Sequence, residues 1–374
     1  MKVGILTLPI GYNYGGILQN WALQEVLRSF GLRPLTIYYR GLNHRQKIYR
    51  WFNRLFVYII KHIVRHPTRS LNHLPWDLRP YSPLLKFVKQ HVNTIDYMLL
   101  DTDVALKTKD IKAIIVGSDQ VWRPKYNREY LPTMFCDFLN DDSHITAIVY
   151  AASFGVSKWE YNERESYMAQ KEVAKFKAIS VRETSGVKLC KDYLNIDVIR
   201  TLDPTLLLTK SDYLKLIPKG VFDLLPEKFM AVYVLDLTQE KKDLIEQIGK
   251  ELGLEPFYFG NTETDGENLV SVETWLGAIM KSQFVITDSF HGTAFSINFR
   301  RPFISIINRS RGADRFISLL QMFDLEDRLI DLSVVSLPFK LTCKSISWDS
   351  IARTQEIERK KSIRFLKSNL YACS

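Results

Sequence analysis

Apolar, β-branched runs of strand length recur along this chain with helix-patterned segments between them, and that alternation narrows the fold more than any other feature. A first series comprises "KVGILTL" (2–8), "PLTIYY" (34–39), "AIIVGS" (113–118), "ITAIVYAAS" (145–153), "AISVRE" (178–183) and "DVIRTLDPT" (197–205). Continuous apolar runs suit parallel strands covered on both faces. Between the first two runs Ile17, Trp21, Leu23, Leu27 and Phe30 recur at helical spacing, and Gly31 stands where a helix C-cap belongs. Strand, glycine loop, helix and strand in that order argue for an α/β fold. The weakly patterned "LIPKGVFDLLPEKF" (216–229) separates this series from a second: "MAVYVLDL" (230–237), "EPFYFG" (255–260), "QFVITDS" (283–289) and "PFISII" (302–307). Helical "QEKKDLIEQIGKELG" and "VETWLGAIMKS" alternate with them, and a further helix is expected from Gly292. The reading is an N-terminal α/β domain over 1–212, a C-terminal one over 213–346, and a helix over 347–374 free to pack back on either domain, the N-terminal one being the first candidate.

Charge sets the class of partner. The formal net charge is +10, and between Glu25 and Asp77 there is no acidic residue. The same stretch holds Arg28, Arg33, Arg40, Arg45, Lys47, Arg50, Arg54, Lys61, Arg65 and Arg69. Such a block points to an anionic partner: phosphate, acidic glycan, membrane surface or nucleic acid. Within an insert at about 44–70, Lys47, Arg50, Arg54, Lys61 and Arg65 share one helical face, and Ile48, Phe52, Leu55, Phe56, Ile59 and Ile63 take the other. A basic amphipathic helix of this kind lies in a membrane interface or packs on its own domain with a solvated basic face. The four cysteines are far apart and have no metal-type spacing, which reads as reduced thiols in a cytoplasmic protein. "VGILTLPI" after Lys2 is too short for a secretory signal and is interrupted by Pro9, and no apolar run approaches a membrane span.

Loops at the carboxyl ends of strands hold the ligand in open α/β sheets, and four such loops carry unusual residues. Asn13, Gly15 and Gly16 follow the first strand. Their glycines either admit an anion to a helix N-terminus or serve a tight turn alone. In "GSDQVW" (117–122), beside Ser118, Asp119 is suited to bind a hydroxyl, orient a base or cap a helix. Arg182, at the end of "AISVRE", suits bidentate contact with a carboxylate or phosphate, or a structural salt bridge. "TDSFHG" brings Asp288, Ser289, His291 and Gly292 to a strand-to-helix junction that faces the ligand crevice. Histidine exchanges protons near neutral pH, so His291 is the candidate acid or base. No metal-ligand constellation, G-x-S-x-G or Walker loop occurs.

In order and spacing, "GILTLPIGYNYGGILQNWAL", "IIVGSDQVW", "SVRETS" with downstream "LDPT", and "VITDSFHGTAFSINFRRPFISI" resemble the polysaccharide pyruvyl transferase family. The resemblance implies two Rossmann-like domains in a GT-B-like arrangement with the active site between them. It implies phosphoenolpyruvate as donor substrate, no cofactor or metal, and a pyruvate ketal on a sugar as product, with release of phosphate. Such enzymes modify capsular, cell-wall or other bacterial surface glycans, often while lipid-linked. The acceptor is then a lipid-linked sugar, expected to contain galactose, met at the inner face of the cytoplasmic membrane. The family's catalytic histidine maps onto His291 and its important arginine onto Arg182. Where some members carry R-L-H-G this chain has Ser289-Phe290-His291-Gly292, and Arg300, Arg301, Arg311 and Arg315 are the candidates to supply the missing cation. Asp119 or Asp288 is expected to orient the acceptor or the imidazole. A nucleotide-sugar glycosyltransferase of the same architecture, or a non-catalytic basic glycan- or nucleic-acid-binding protein, are the alternatives. No nucleic-acid-binding motif is visible, so nucleic acid is not an expected partner.

Overall fold

The computed structural model describes residues 1–10, 13–38, 83–96, 110–140, 143–260, 269–334 and 345–371. The basic insert expected at about 44–70 lies outside the described residues. The apolar runs form two sheets in which every strand pair is parallel. The first holds β1 (Lys2–Leu6), β2 (Arg33–Tyr38), β3 (Thr94–Asp96), β4 (Ile111–Asp119), β5 (Thr146–Ala152), β6 (Phe176–Val181) and β7 (Ile199–Arg200), in the order β3-β2-β1-β4-β5-β6-β7. The second holds β8 (Phe229–Tyr233), β9 (Glu255–Tyr258), β10 (Phe284–Thr287), β11 (Phe303–Ile306) and β12 (Leu329–Ile330), in the order β12-β11-β10-β8-β9. The first order is that of a Rossmann sheet, and the second, read from β9, is the flavodoxin-like one.

The helices used below are α1 (Tyr14–Ser29), α2 (Pro83–His91), α3 (Glu163–Glu172), α4 (Thr184–Leu189), α5 (Gln239–Leu252), α6 (Val272–Lys281), α7 (Phe290–Asn298), α8 (Asp314–Met322) and α9 (Trp348–Tyr371). Helix α1 ends as its sequence dictates: Gly31 takes φ +75° and its N–H returns to the Arg28 carbonyl. Helix α7 starts two residues earlier than the glycine suggested, because Ser289 adopts extended backbone and caps it by accepting from the Gly292 N–H. Helix α9 crosses back to the first lobe. There Ser362 Oγ accepts from the Leu202 N–H at 2.9 Å, and Phe365 lies beside Tyr150 with ring centroids 6.2 Å apart.

One apolar cluster runs through both lobes, from Val3 and Ile5 of β1 through Trp21 and Leu27 of α1 to Ala231 of β8, Trp275 of α6 and Phe295 of α7. Tyr14, the first residue of α1, is fully buried in the second lobe. It stacks on Trp275 at 5.4 Å and 11°, and its hydroxyl donates to the Val270 carbonyl at 2.7 Å. The lobes are therefore joined by a shared core, and the relative placement of their strand ends is fixed by packing.

Candidate active site

Strand order reverses once in each sheet, between β1 and β4 and between β8 and β10. Ligands of open α/β sheets bind outside the carboxyl ends at such a reversal. Here the two reversals face each other and line one cavity of about 280 Å³. Leu8, Asn13, Gly15, Asp119, Gln120 and Tyr126 come from the first lobe; Tyr233, Leu235, Asp288, Ser289, Phe290, His291, Arg311 and Arg315 come from the second. The N-termini of α1 and α7 both open on it. The N–H groups of the first turn have no acceptor within a helix, so each end presents partial positive charge to the cavity.

His291 occupies the first turn of α7 and is 6% exposed. Its ring lies against the backbone of Gly15: a Cβ at that position would stand 2.0 Å from Nδ1. No residue but glycine permits this approach, which explains why glycine stands in the first turn of a helix that would otherwise favour alanine. On the other side of the ring, Nε2 is 3.7 Å from Asp203 Oδ2 and makes no hydrogen bond.

Asp203 closes a network of buried charge. Its Oδ1 accepts from the Thr205 N–H at 2.9 Å and Thr205 Oγ1 at 2.7 Å. Its Oδ2 accepts from Arg182 Nη1 at 2.5 Å and from Ser118 Oγ at 3.3 Å. Burial disfavours the charged carboxylate, but His291 and Arg182 outweigh burial and hold the carboxyl well below the usual range. Arg182 also donates to Asp119 Oδ1 at 3.0 Å, and Arg315 reaches the same oxygen at 3.4 Å. Asp119 is buried too, yet the two guanidiniums and His291 depress it. The Phe290 ring lies 4.4 Å from the Arg182 guanidinium and 5.4 Å from that of Arg315. Burial and the neighbouring Arg182 bring Arg315 down to about 10, so it remains charged at neutral pH.

Several expected roles change with this geometry. Arg182 is 4% exposed and does not line the cavity; both its terminal nitrogens are committed to Asp119 and Asp203, so it organises carboxylates instead of clamping a ligand. Asp119 caps no helix; it joins Arg182 to Arg315 at the cavity wall. Asp288 does not orient the imidazole. It accepts from the Leu235 and Asp236 N–H groups at 2.6 and 3.2 Å, from Lys241 Nζ at 2.6 Å and from Asn308 Nδ2 at 3.1 Å, and so anchors the loop after β8. The carboxylate facing His291 is Asp203.

Gly16 offers no free donor, since its N–H is taken by the Asn13 side chain at 2.5 Å. Gly292 likewise donates to Ser289 Oγ at 3.4 Å, and it is glycine because a Cβ would stand 2.2 Å from Thr287 Oγ1. Ser118 is buried behind Asp203 and Ser289 lines the cavity. Arg300 is exposed beyond the far end of α7 and is not brought to the cavity. Arg311 does reach it, with its guanidinium held in two 2.8 Å bonds to Asp236.

Asp203, Gln120, Tyr126 and Tyr233 are among the site residues that sequence reasoning passed over. The Asp-Pro-Thr at the end of β7 was visible, and an aspartate that caps its own turn through Thr205 is a recognisable signal for a fixed carboxylate. Arg315 was one of four arginines that sequence could not separate. Among the described residues no group of three or more His, Cys, Asp or Glu is arranged to hold a metal ion, and no helix is long and apolar enough to cross a membrane.

Solved structures with this architecture include UDP-GlcNAc 2-epimerase from Methanocaldococcus jannaschii, at 10% identity over 99% of this chain and 100% of that one, TM-score 0.52. MnaA of S. aureus, solved with UDP, matches at 9% identity over 97% and 90%, TM-score 0.51. The two Rossmann-like lobes thus have the GT-B arrangement. Among curated proteins no sequence matches this chain. The family model described as polysaccharide pyruvyl transferase matches residues 13–310, a span that runs from the α1 cap, through Asp119, Arg182, Asp203 and His291, to the loop after β11. On that match the chain belongs to the polysaccharide pyruvyl transferase family.

Proposed function

We propose that the chain transfers the pyruvyl group of phosphoenolpyruvate to two hydroxyls of one sugar in a polysaccharide or its lipid-linked precursor, with galactose as the first acceptor to try. The observation that carries this reading is the meeting, in one cavity, of an imidazole backed by a buried carboxylate with fixed positive charge. The donor bears a phosphate and a carboxylate. Arg315 and Arg311 supply cations for such a dianionic molecule, and the N-terminal ends of α1 and α7 add partial positive charge.

A proton on His291 Nε2 points toward Asp203, which leaves Nδ1, beside Gly15, to exchange a proton with substrate. Protonated His291 delivers that proton to the vinyl C3, and C2 becomes electrophilic. One sugar hydroxyl adds to C2 and loses its proton to the imidazole. The C2–O bond to phosphate then breaks. The second hydroxyl adds to C2, and its proton leaves with the phosphate. Two hydroxyl protons are lost, one is gained at C3, and one departs on the phosphate. Asp203 stabilises the imidazolium, and Arg182 keeps Asp203 ionised. None of these steps calls on a metal. Work at the inner face of a membrane is part of the same proposal.

The test is phosphate release from phosphoenolpyruvate in the presence of galactosides, with the ketal identified by NMR. His291→Ala is expected to lose about 10²–10⁴-fold, the range for a general acid–base group. Wild-type turnover in His291→Ala, or glycosyl transfer from UDP-sugars with none from phosphoenolpyruvate, overturns the reading.

A further inference from the structure

We infer that the rim of this cavity, formed by Tyr126 and Asn13, is the subsite that receives the acceptor sugar ring; the inference rests on the pyruvyl transfer proposed above. The lining divides by depth. Gly15, Asp119, Gln120, Tyr233, Asp288, Ser289, Phe290, His291 and Arg315 are buried, and Asn13 and Tyr126 are the two exposed members. The charged groups that match the donor are thus on the floor, and about 280 Å³ is below the usual size of a pocket that encloses a whole drug-sized ligand. A donor on the floor leaves its C2 to be approached from the mouth.

The mouth is chemically suited to a sugar. Tyr126 is 41% exposed, although the turn that carries it is pinned on both sides. Lys125 Nζ donates across the lobes to the Ser310 carbonyl at 2.6 Å, and Asn127 Nδ2 donates to the Val121 carbonyl at 3.2 Å. Arg123 and Lys125 lie 5.5 and 5.9 Å from the ring centroid, at the outer limit of cation–π contact, so neither covers the ring closely. An exposed aromatic ring on a fixed turn is a low-entropy platform for the apolar C–H face of a hexose. Asn13 is oriented by its own cap. Its Oδ1 accepts from the Gly16 N–H, so its Nδ2, with two donors, is left for the rim. A sugar stacked on Tyr126 with a ring or hydroxyl oxygen on Asn13 presents its remaining hydroxyls toward His291.

Steady-state kinetics with phosphoenolpyruvate and methyl β-galactopyranoside, alongside NMR titration of the same glycoside and of methyl glucopyranoside in the absence of donor, test this. Tyr126→Ala is expected to raise the acceptor KM and glycoside Kd about tenfold. Phosphoenolpyruvate should still raise its Tm. Tyr126→Phe keeps the ring and is expected to stay within about threefold of wild type on the acceptor side. Asn13→Ser keeps the cap oxygen but loses the amide donors, and is expected to raise the acceptor KM about fivefold. Unchanged acceptor KM in Tyr126→Ala, equal losses on donor and acceptor sides, or no glycoside binding to wild type at tens of millimolar overturns the inference. Glycoside binding that Tyr126→Ala weakens, without phosphate release, upholds the subsite and removes the pyruvyl-transfer reading instead.

Discussion

Replacing Asp203 with asparagine isolates the one interaction on which the site's chemistry turns. The change keeps size and an acceptor oxygen for Thr205 but removes the charge 3.7 Å from His291 Nε2. At an effective dielectric near 20, two unit charges at that separation interact by about 4 kcal/mol. If most of it is felt when the imidazole is protonated in the transition state, kcat falls by roughly 10³-fold. Stability falls as well. Arg182 is buried between two carboxylates and loses one, and breaking a buried pair from one side costs about 3–5 kcal/mol. The two effects separate experimentally: phosphate release at saturating substrate, well below the variant's Tm, gives the first, and urea unfolding gives the second. The pH dependence has a definite sign. Asp203 is held below the ordinary carboxylate range, so its stabilisation is present above about pH 4 and is lost as pH falls through the depressed folded value. Asparagine abolishes that acid-side dependence. Because Asp203 acts through His291, adding Asp203→Asn to His291→Ala should lower turnover little further. Turnover of Asp203→Asn within about threefold of wild type, or full additivity with His291→Ala, refutes the reasoning.

Two other perturbations test the neighbours. Gly15→Ala places a methyl 2.0 Å from His291 Nδ1 and must displace the ring; kcat should fall at least about 10²-fold with both lobes still folded by circular dichroism, and imidazole ¹⁵N NMR should report the shift. Arg315→Gln removes a buried cation from the cavity wall and should raise the phosphoenolpyruvate KM by about 10–10²-fold, measured by initial rates. In wild type the same contact should weaken as pH rises through about 10, where Arg315 begins to lose its proton.

The strands were legible because parallel strands buried on both faces are apolar along their length: β1, β5, β10 and β11 lie within such runs, and β4 and β8 overlap theirs and extend one or two residues beyond. The end of "DVIRTLDPT" was not legible as it folds. Only Ile199 and Arg200 pair with β6, and the rest bends away so that Asp203 can meet Arg182 and His291. His291 and Asp119 were legible from their places at strand ends. The role of Arg182 was not, because whether an arginine meets a ligand or a carboxylate depends on residues 63 and 21 positions away. Gly16 and Gly292 misled for a shared reason: a glycine near a helix start suggests open N–H groups, but Asn13 and Ser289 each sit three residues upstream and cap them. The tight partner of Gly15 is an imidazole from the other lobe, and nothing local to "YNYGG" encodes it.

The charge network also explains why the lobes share a core. His291 and Arg315 belong to the second lobe, and their carboxylates, Asp203 and Asp119, to the first. Each pairing is buried, so displacing one lobe from the other would strand charge in a poorly solvated place. A freely hinged pair of lobes would pay that penalty at every opening. Here the register is held independently of the charges, by Tyr14 stacked on Trp275, by its hydroxyl on Val270, and by Asn298 Nδ2 donating to the Thr205 and Leu208 carbonyls at 3.0 and 3.1 Å. Asn298 lies at the last turn of the helix that carries His291 in its first, and Asp203 caps the turn that contains Thr205 by accepting from the Thr205 N–H. One short helix and one short turn therefore meet at both ends, so the separation between imidazole and carboxylate is set by rigid elements and not by loops.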